Sequence, residues 1–133
     1  MMKVQIPTEM QEQKALVRWL SYHHKLKDFY CKLDNEGKRS PRLGANLKLL
    51  GLRPGASDLF IYYPVGKFCG LWLEMKRSKE YTHSERSTLT WRQQAAFIEE
   101  VKSVGYAAFF AYGWIHGKDI IEQYLNDKSN LHN

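Results

Sequence analysis

The fold of this chain is decided by residues 57–76, SDLFIYYPVGKFCGLWLEMK. Residues 57–63 and 70–76 are rich in aromatic and aliphatic side chains, which are typical of β-strands. Between them, residues 64–66 contain a proline and a glycine, which favour a turn. The pattern therefore predicts a β-hairpin whose loop is somewhat longer than the tightest kind.

The register of this hairpin follows from the alternation of side chains along each strand. If the hairpin is symmetric about Gly66, Leu59 lies opposite Leu73. Ile61 then lies opposite Leu71, and one face of the hairpin is continuously apolar. A slip of one residue pairs apolar with polar positions, so the pattern itself favours this register.

The same register places two acidic side chains, Asp58 and Glu74, opposite each other, with Cβ atoms about 4.5–5.5 Å apart. Two adjacent carboxylates are destabilising unless one has a raised pKa or a cation binds between them. Hard divalent ions such as Mg²⁺ take oxygen ligands and keep several waters, so two carboxylates suffice as an anchor. Lys76 lies on the same face, where its ammonium is placed to stabilise the charge that develops during phosphodiester hydrolysis.

The rest of the chain predicts helices and strands around this hairpin. Capping boxes of the T-x-x-Q form, at Thr8–Gln11 and at Thr90–Gln93, mark the starts of two helices. The second of these helices runs through Val104 and stops at Gly105. Apolar patterns add strands at 29–33 and 106–112, a short helix at 43–50 and a final helix at 116–125. The predicted order is α-β-(α)-β-β-α-β-α, an α/β fold with a mixed central sheet of about four strands flanked by helices.

Composition limits the class of protein. The 133 residues, 44% of them hydrophobic, suffice for a single domain spanning 1–133, with a core at about 9–125 and a frayed tail at 126–133. No stretch approaches the roughly 20 apolar residues of a membrane helix, and the N-terminus lacks the apolar region of a secretory signal. We expect no membrane association, and the two widely separated cysteines favour a reducing, cytoplasmic location.

Basic residues cluster on both sides of the Asp58 segment. The net charge is +6, which favours a polyanionic partner, most commonly a nucleic acid. The predicted phosphate contacts are Lys38, Arg39, Arg42, Lys48, Arg53, Arg77 and Lys79. A solvated basic surface without any partner is the alternative for these residues.

The motifs together resemble a known family. The P-G-A-S-D segment ending at Asp58, followed by Glu74-Met75-Lys76, is similar to the PD-(D/E)xK nuclease signature. The fuller pattern resembles the virus-type replication-repair nuclease (VRR-NUC) branch of that superfamily. Its further matches are Glu12 in the first helix, the turn at 35–37, the glycine-containing segment 51–58 and Gln93 in the helix after E-x-K. Ala56 and Ser57 stand where the family commonly has a proline before the aspartate.

The resemblance implies a PD-(D/E)xK restriction-endonuclease-like fold and a Mg²⁺- or Mn²⁺-dependent DNA endonuclease. Asp58, Glu74 and the Met75 carbonyl would bind the metal, with Lys76 catalytic. Glu12 would be an auxiliary acid at the metal, and Gln93 would orient Lys76 or the attacking water. The expected substrate is branched DNA, such as Holliday junctions or flaps, and the expected enzyme is a homodimer. Its expected location is the cytoplasm, which is the host cell cytoplasm if the origin is viral. No small-molecule cofactor beyond the metal is expected.

Each of these assignments has a simpler alternative. A strand often presents Glu and Lys to solvent, Glu12 fits an exposed helix face, and the capping box alone explains Gln93. At the level of function, the alternatives are a non-catalytic DNA-binding module and a homodimeric structural partner in a replication or recombination complex. The complete set of Asp58, Glu74 and Lys76 favours the enzyme, because a degenerate site would be expected to have lost one member.

Overall fold

The computed structural model describes residues 5–33 and 40–127. The elements in chain order are α1 (Glu9–Ser21), β1 (Tyr30–Lys32), α2 (Pro41–Leu49), β2 (Leu59–Ile61), β3 (Leu71–Lys76), α3 (His83–Arg86), α4 (Leu89–Ser103), β4 (Ala107–Tyr112) and α5 (Trp114–Leu125). The turn predicted at 35–37, the predicted phosphate contacts Lys38 and Arg39, and tail residues 128–133 lie outside the described residues.

The sheet is mixed and has four strands in the order β1-β2-β3-β4. β2 is antiparallel to both of its neighbours, β1 and β3, whereas β3 and β4 are parallel. Parallel neighbours require a crossover connection, and α4 supplies it. In the hairpin, Leu59 pairs with Leu73 and Ile61 pairs with Leu71. The predicted mixed sheet, its crossover helix and the hairpin register are thus confirmed.

Helices cover both faces of the sheet. One face carries the fully buried aliphatic side chains of the hairpin, and α1 and α5 pack on it through Leu16, Leu20 and Ile121. Each fully buried leucine or isoleucine contributes about 1.5–3 kcal/mol of transfer free energy. The opposite face is aromatic: Trp72 of β3 packs edge-on against Phe97 of α4, with ring centroids 5.1 Å apart. In the described part of the chain, none of the helices is long and apolar enough to cross a membrane.

Side-chain caps set the starts of the helices. The predicted capping box at α1 is confirmed, since the Thr8 hydroxyl accepts from the Gln11 amide and the Gln11 side chain accepts from the Thr8 amide. The second predicted box is wrong. Thr88 caps α4 by accepting a hydrogen bond from the Trp91 amide, so Thr90 lies inside the helix. A threonine two residues earlier competes for the same role, and sequence spacing alone does not decide between them.

Candidate active site

Three charged side chains are almost completely buried at one end of the hairpin. Asp58 is 4% exposed, Glu74 is 1% exposed and Lys76 is 6% exposed. Extending the Leu59–Leu73 pair by one residue aligns Asp58 with Glu74. The Asp58 carboxylate accepts a hydrogen bond of 3.0 Å from the backbone amide of Met75, which fixes it beside the E-x-K segment. The hairpin thus brings together the three residues on which the predicted chemistry depends.

The Lys76 ammonium is held in place by α4. Its Nζ atom donates a 2.7 Å hydrogen bond to Oε1 of Gln94 and lies 4.3 Å from the ring centroid of Trp91. The Phe110 ring centroid is 5.7 Å away on β4. A buried ammonium requires such partners, because burial without them carries a large desolvation cost. The charge-assisted hydrogen bond and the cation–π contact therefore both stabilise and orient the amine.

Gln94, and not the predicted Gln93, contacts the Lys76 ammonium, while a role of Gln93 in orienting the attacking water stays a prediction. The Gln93 side chain is half-buried, and its backbone lies directly against Gly55. Gln94, in contrast, belongs to the buried face of α4 together with Trp91, Phe97 and Ile98. The apolar members of that face recur at helical spacing, so the sequence already indicated which glutamine points toward the sheet.

Glu12, the predicted auxiliary acid, lies against the start of α5. Its side chain is 5% exposed and faces the start of α5, where Oε1 accepts a 3.5 Å hydrogen bond from the Trp114 amide. A Cβ atom added at Gly113 would lie only 2.7 Å from Oε2 of Glu12, so the Glu12 carboxylate would have to shift to admit a larger residue there. A carboxylate at a helix N-terminus is stabilised by the unpaired amides and the helix dipole. The structure therefore gives Glu12 a packing role between α1 and α5, and its auxiliary role at the metal stays a prediction.

Glu9, one turn earlier on α1, is the acid of this helix that faces the candidate site. Burial raises the pKa of its carboxyl above the ordinary value, while the Lys76 ammonium opposes that rise. The charge of Asp58 raises the same pKa further, and Arg77 lowers it. These interactions place Glu9 within electrostatic reach of the Asp58 and Lys76 side chains. Sequence reasoning missed it because a first-turn acid after a cap has a sufficient local explanation.

The oxygen donors of the site suit a hard divalent cation. Within residues 5–33 and 40–127, no three His, Cys, Asp or Glu side chains form a group able to hold a metal ion. The side-chain oxygen donors at the hairpin are the two buried carboxylates of Asp58 and Glu74. Mg²⁺ keeps several waters and is usually bound through one or two carboxylates, so this pair fits it. The proposed Met75 carbonyl ligand stays a prediction.

The predicted phosphate contacts that precede Asp58 in the sequence divide into two kinds. Arg42 and Lys48 are exposed on α2, a helix without a buried residue. Arg53 forms a 2.8 Å ion pair with Glu100 of α4, and its guanidinium lies 5.9 Å from the Phe97 ring centroid. A phosphate contact by Arg53 must therefore compete with an acidic partner, whereas Arg42 and Lys48 are directly accessible to a large anion.

The predicted contacts that follow Asp58 in the sequence have intramolecular partners. The Arg77 guanidinium donates to the backbone carbonyls of Pro7 and Ile6, at 3.1 and 2.9 Å, and so attaches the segment before α1 to the sheet. The Lys79 ammonium pairs with Glu85 at 2.8 Å. These bonds give Arg77 and Lys79 structural roles that the sequence did not predict, and their part in DNA binding stays a prediction.

Comparison with known proteins identifies the fold. Neither a protein-family model nor a curated protein sequence matches the chain. A solved structure entitled "VRR_NUC domain protein" is similar over 92% of this chain and 92% of its own, with a TM-score of 0.72 and 24% sequence identity. The predicted VRR-NUC resemblance is thus confirmed at the level of the fold, and the chain shares its mixed α/β architecture with that structure.

Proposed function

We propose that this chain is a divalent-metal-dependent endonuclease that hydrolyses DNA phosphodiester bonds. The observation that carries the proposal is the burial of Asp58, Glu74 and Lys76 at one end of the hairpin, in a chain with a VRR-NUC fold. Burying charged groups costs several kcal/mol each unless partners compensate, so charged clusters of this kind are concentrated at functional sites. A stable fold alone requires no such cluster.

The side chains have distinct roles in this proposal. Asp58 and Glu74 would hold Mg²⁺ or Mn²⁺, with the Met75 carbonyl as a further ligand. The bound ion supplies Lewis-acid stabilisation of phosphoryl oxygens and lowers the pKa of water. The Lys76 ammonium stabilises the negative charge that develops on the phosphate, which is most effective when the donor is fixed in advance. Gln94 acts as a positioning residue, because its side-chain oxygen holds that ammonium.

Cleavage assays with a matched pair of variants test the proposal. We expect wild-type protein to cut DNA in Mg²⁺ or Mn²⁺ and to be inactive in EDTA. Glu74→Gln keeps the shape of the side chain and should reduce cleavage by about 100-fold or more, since a metal contributes several kcal/mol. Glu99→Gln alters an exposed carboxylate on α4 and should leave activity unchanged. Cleavage that persists in Glu74→Gln contradicts the assigned site, while DNA binding without cleavage by the wild type supports the non-catalytic alternative.

The exposed cations of α2, Arg42 and Lys48, are the part of the proposed DNA contact that is freely accessible. Binding of DNA releases about 0.9 counterions per duplex phosphate that a protein neutralises. Arg42→Ala and Lys48→Ala should therefore each lower the slope of log Kobs against log salt by about one, with little dependence on sequence. Unchanged slopes in both variants place the DNA path elsewhere on the protein.

Branched DNA and a homodimer are the finer parts of the proposal. A two-fold symmetric pair of sites suits symmetric incision of a junction, and closed two-fold dimers are the commonest homo-oligomers. A substrate panel of junction, flap and linear duplex in Mn²⁺ should show faster cleavage of the branched forms. Sedimentation analysis of the full chain should give twice the monomer mass. A monomer that prefers linear duplex contradicts both expectations.

A further inference from the structure

A cleft of about 620 Å³ lies beside the candidate active site, between α1 and the edge of the sheet formed by β1 and β2. Asp58 and Glu9 both line the cleft, so it reaches one of the two proposed metal-binding carboxylates. A volume of several hundred Å³ is that of a small-molecule pocket. One or two nucleotides match this scale, whereas a duplex of several base pairs has a much larger volume.

The walls of the cleft offer an aromatic ring and aliphatic surface. Tyr30 of β1 is half-buried in the wall, together with Val17 of α1 and the fully buried Leu59 of β2. Every nucleobase has an apolar face that stacks on an aromatic side chain, largely without regard to sequence. The wall is therefore suited to an unpaired base, whose faces a duplex would conceal.

The rim carries three exposed cations, Lys14 and Arg18 of α1 and Lys32 of β1. Lys14 and Arg18 are four residues apart and so lie on the same face of the helix. The two acids of the lining, Glu9 and Asp58, belong to the candidate active site. The rest of the lining carries only these three cations as charged side chains, so it is positively charged. Cations along a groove with an aromatic platform are the usual means by which proteins bind single strands.

We propose that this cleft binds unpaired nucleotides of single-stranded DNA adjoining the phosphate to be cut. The proposal rests on the proposed nuclease function and assigns that site a preference for DNA with a single-stranded arm. Tyr30 stacks on a base, and Lys14, Arg18 and Lys32 contact the phosphates that follow it. These residues were not among the contacts predicted from the sequence.

Binding measurements in EDTA, where no turnover is expected, test the cleft separately from catalysis. The probes are a fluorescent blunt duplex and the same duplex with a short single-stranded overhang, titrated with the full chain over a range of salt. The triple variant Lys14→Ala/Arg18→Ala/Lys32→Ala should lower the salt slope for the overhang probe by about 2, at about 0.7 per single-strand phosphate. The blunt duplex should keep its wild-type slope.

A second variant and a charge control make the test specific. Tyr30→Leu preserves apolar packing but removes the ring, and should weaken overhang binding by about 5- to 150-fold while sparing the blunt duplex. The control triple variant removes the same charge outside the cleft, at Lys67, Lys102 and Lys118. This control variant should lower the salt slope only slightly, and by the same amount for the overhang and blunt-duplex probes.

Several outcomes would overturn the proposal. An unchanged overhang slope in the cleft triple variant, or an equal loss for the blunt duplex, excludes a single-strand site. A change in sedimentation of the free cleft variant shows that a second copy of the chain occupies the cleft instead. If the wild type cleaves DNA but the cleft variants bind normally, the inference fails and the nuclease function stands. If cleavage is absent while overhang binding depends on the cleft, the nuclease proposal fails and the cleft assignment stands.

Discussion

Replacing Gln94 by leucine removes the acceptor of the hydrogen bond that the Lys76 ammonium donates. The two side chains are 8% and 6% exposed, and the bond is 2.7 Å long. Water therefore has little access to replace the lost acceptor. A buried hydrogen bond to a charged group contributes about 1.5–3 kcal/mol to stability, so Gln94→Leu should lower the free energy of unfolding by about that amount.

The neighbouring glutamine provides the matched control. Gln93→Leu makes the same chemical change at a half-buried position, and it should alter the free energy of unfolding by about 0.5 kcal/mol or less. Lys76→Met should also be destabilising by about 1–3 kcal/mol, because it leaves the buried Gln94 oxygen without its donor. Removing both polar partners together is expected to cost much less than the sum of the single changes.

Urea unfolding of the wild type, the single variants and the Lys76→Met/Gln94→Leu double variant measures these quantities. The double-mutant cycle should give a coupling energy of about 1–3 kcal/mol between the two residues. In cleavage assays, Gln94→Leu should reduce kcat more than it raises KM, since the ammonium acts on the developing charge. Equal stability losses for Gln94→Leu and Gln93→Leu, or additive effects in the cycle, refute the reasoning that Gln94 positions Lys76.

Two further predictions concern local structure. Gly55→Ala should lower the free energy of unfolding by about 1–3 kcal/mol or more, since Gly55 has φ +86° and a Cβ there would be 2.5 Å from the Gln93 backbone. Gly44→Ala, within α2 and with open space around it, should instead be stabilising by about 0.8–1 kcal/mol, and urea unfolding distinguishes the two. The pKa of Glu85 is lowered to about 2, chiefly by the hydrogen bond from Lys79. The ionised Glu85 carboxylate therefore contributes fully to the free energy of unfolding above pH 4.5, and this contribution is lost as the pH falls toward 2. Carboxyl NMR titration should show that pKa rising toward 4.5 in Lys79→Ala, and an unchanged midpoint would show that the lysine is not its cause.

The hairpin was predictable because its pattern is local. Alternation of Leu59 and Ile61, then of Leu71 and Leu73, specifies one apolar face and one register, and a slip would bury polar groups. The same alternation placed Asp58 with the E-x-K segment. The α1 capping box was predictable for a similar reason, since its donors and acceptors lie three residues apart.

The errors concern helix faces and long-range contacts. Glu12 and Glu9 are separated by less than one helical turn, and only the packing of α1 against α5 decides which carboxylate faces Trp114 and which faces Lys76. The choice between Gln93 and Gln94 depends on how α4 is rotated over the sheet, for which the helical spacing of Trp91, Phe97 and Ile98 is the signal in the sequence. A rotation of one residue moves a side chain by about 100° around the helix axis, so neighbours in sequence face different surroundings.

The sequence by itself determined the register of the hairpin, the place of the two acids and the lysine on it, and the net positive charge. These follow from periodicity, charge and local capping, which act over a few residues. Only the tertiary structure decided that Gln94 holds the Lys76 ammonium, that Arg77 is bonded to the carbonyls of Pro7 and Ile6, and that a cleft opens beside Asp58. Such contacts join elements far apart in the chain, and their geometry depends on how whole helices pack to exclude water from the core.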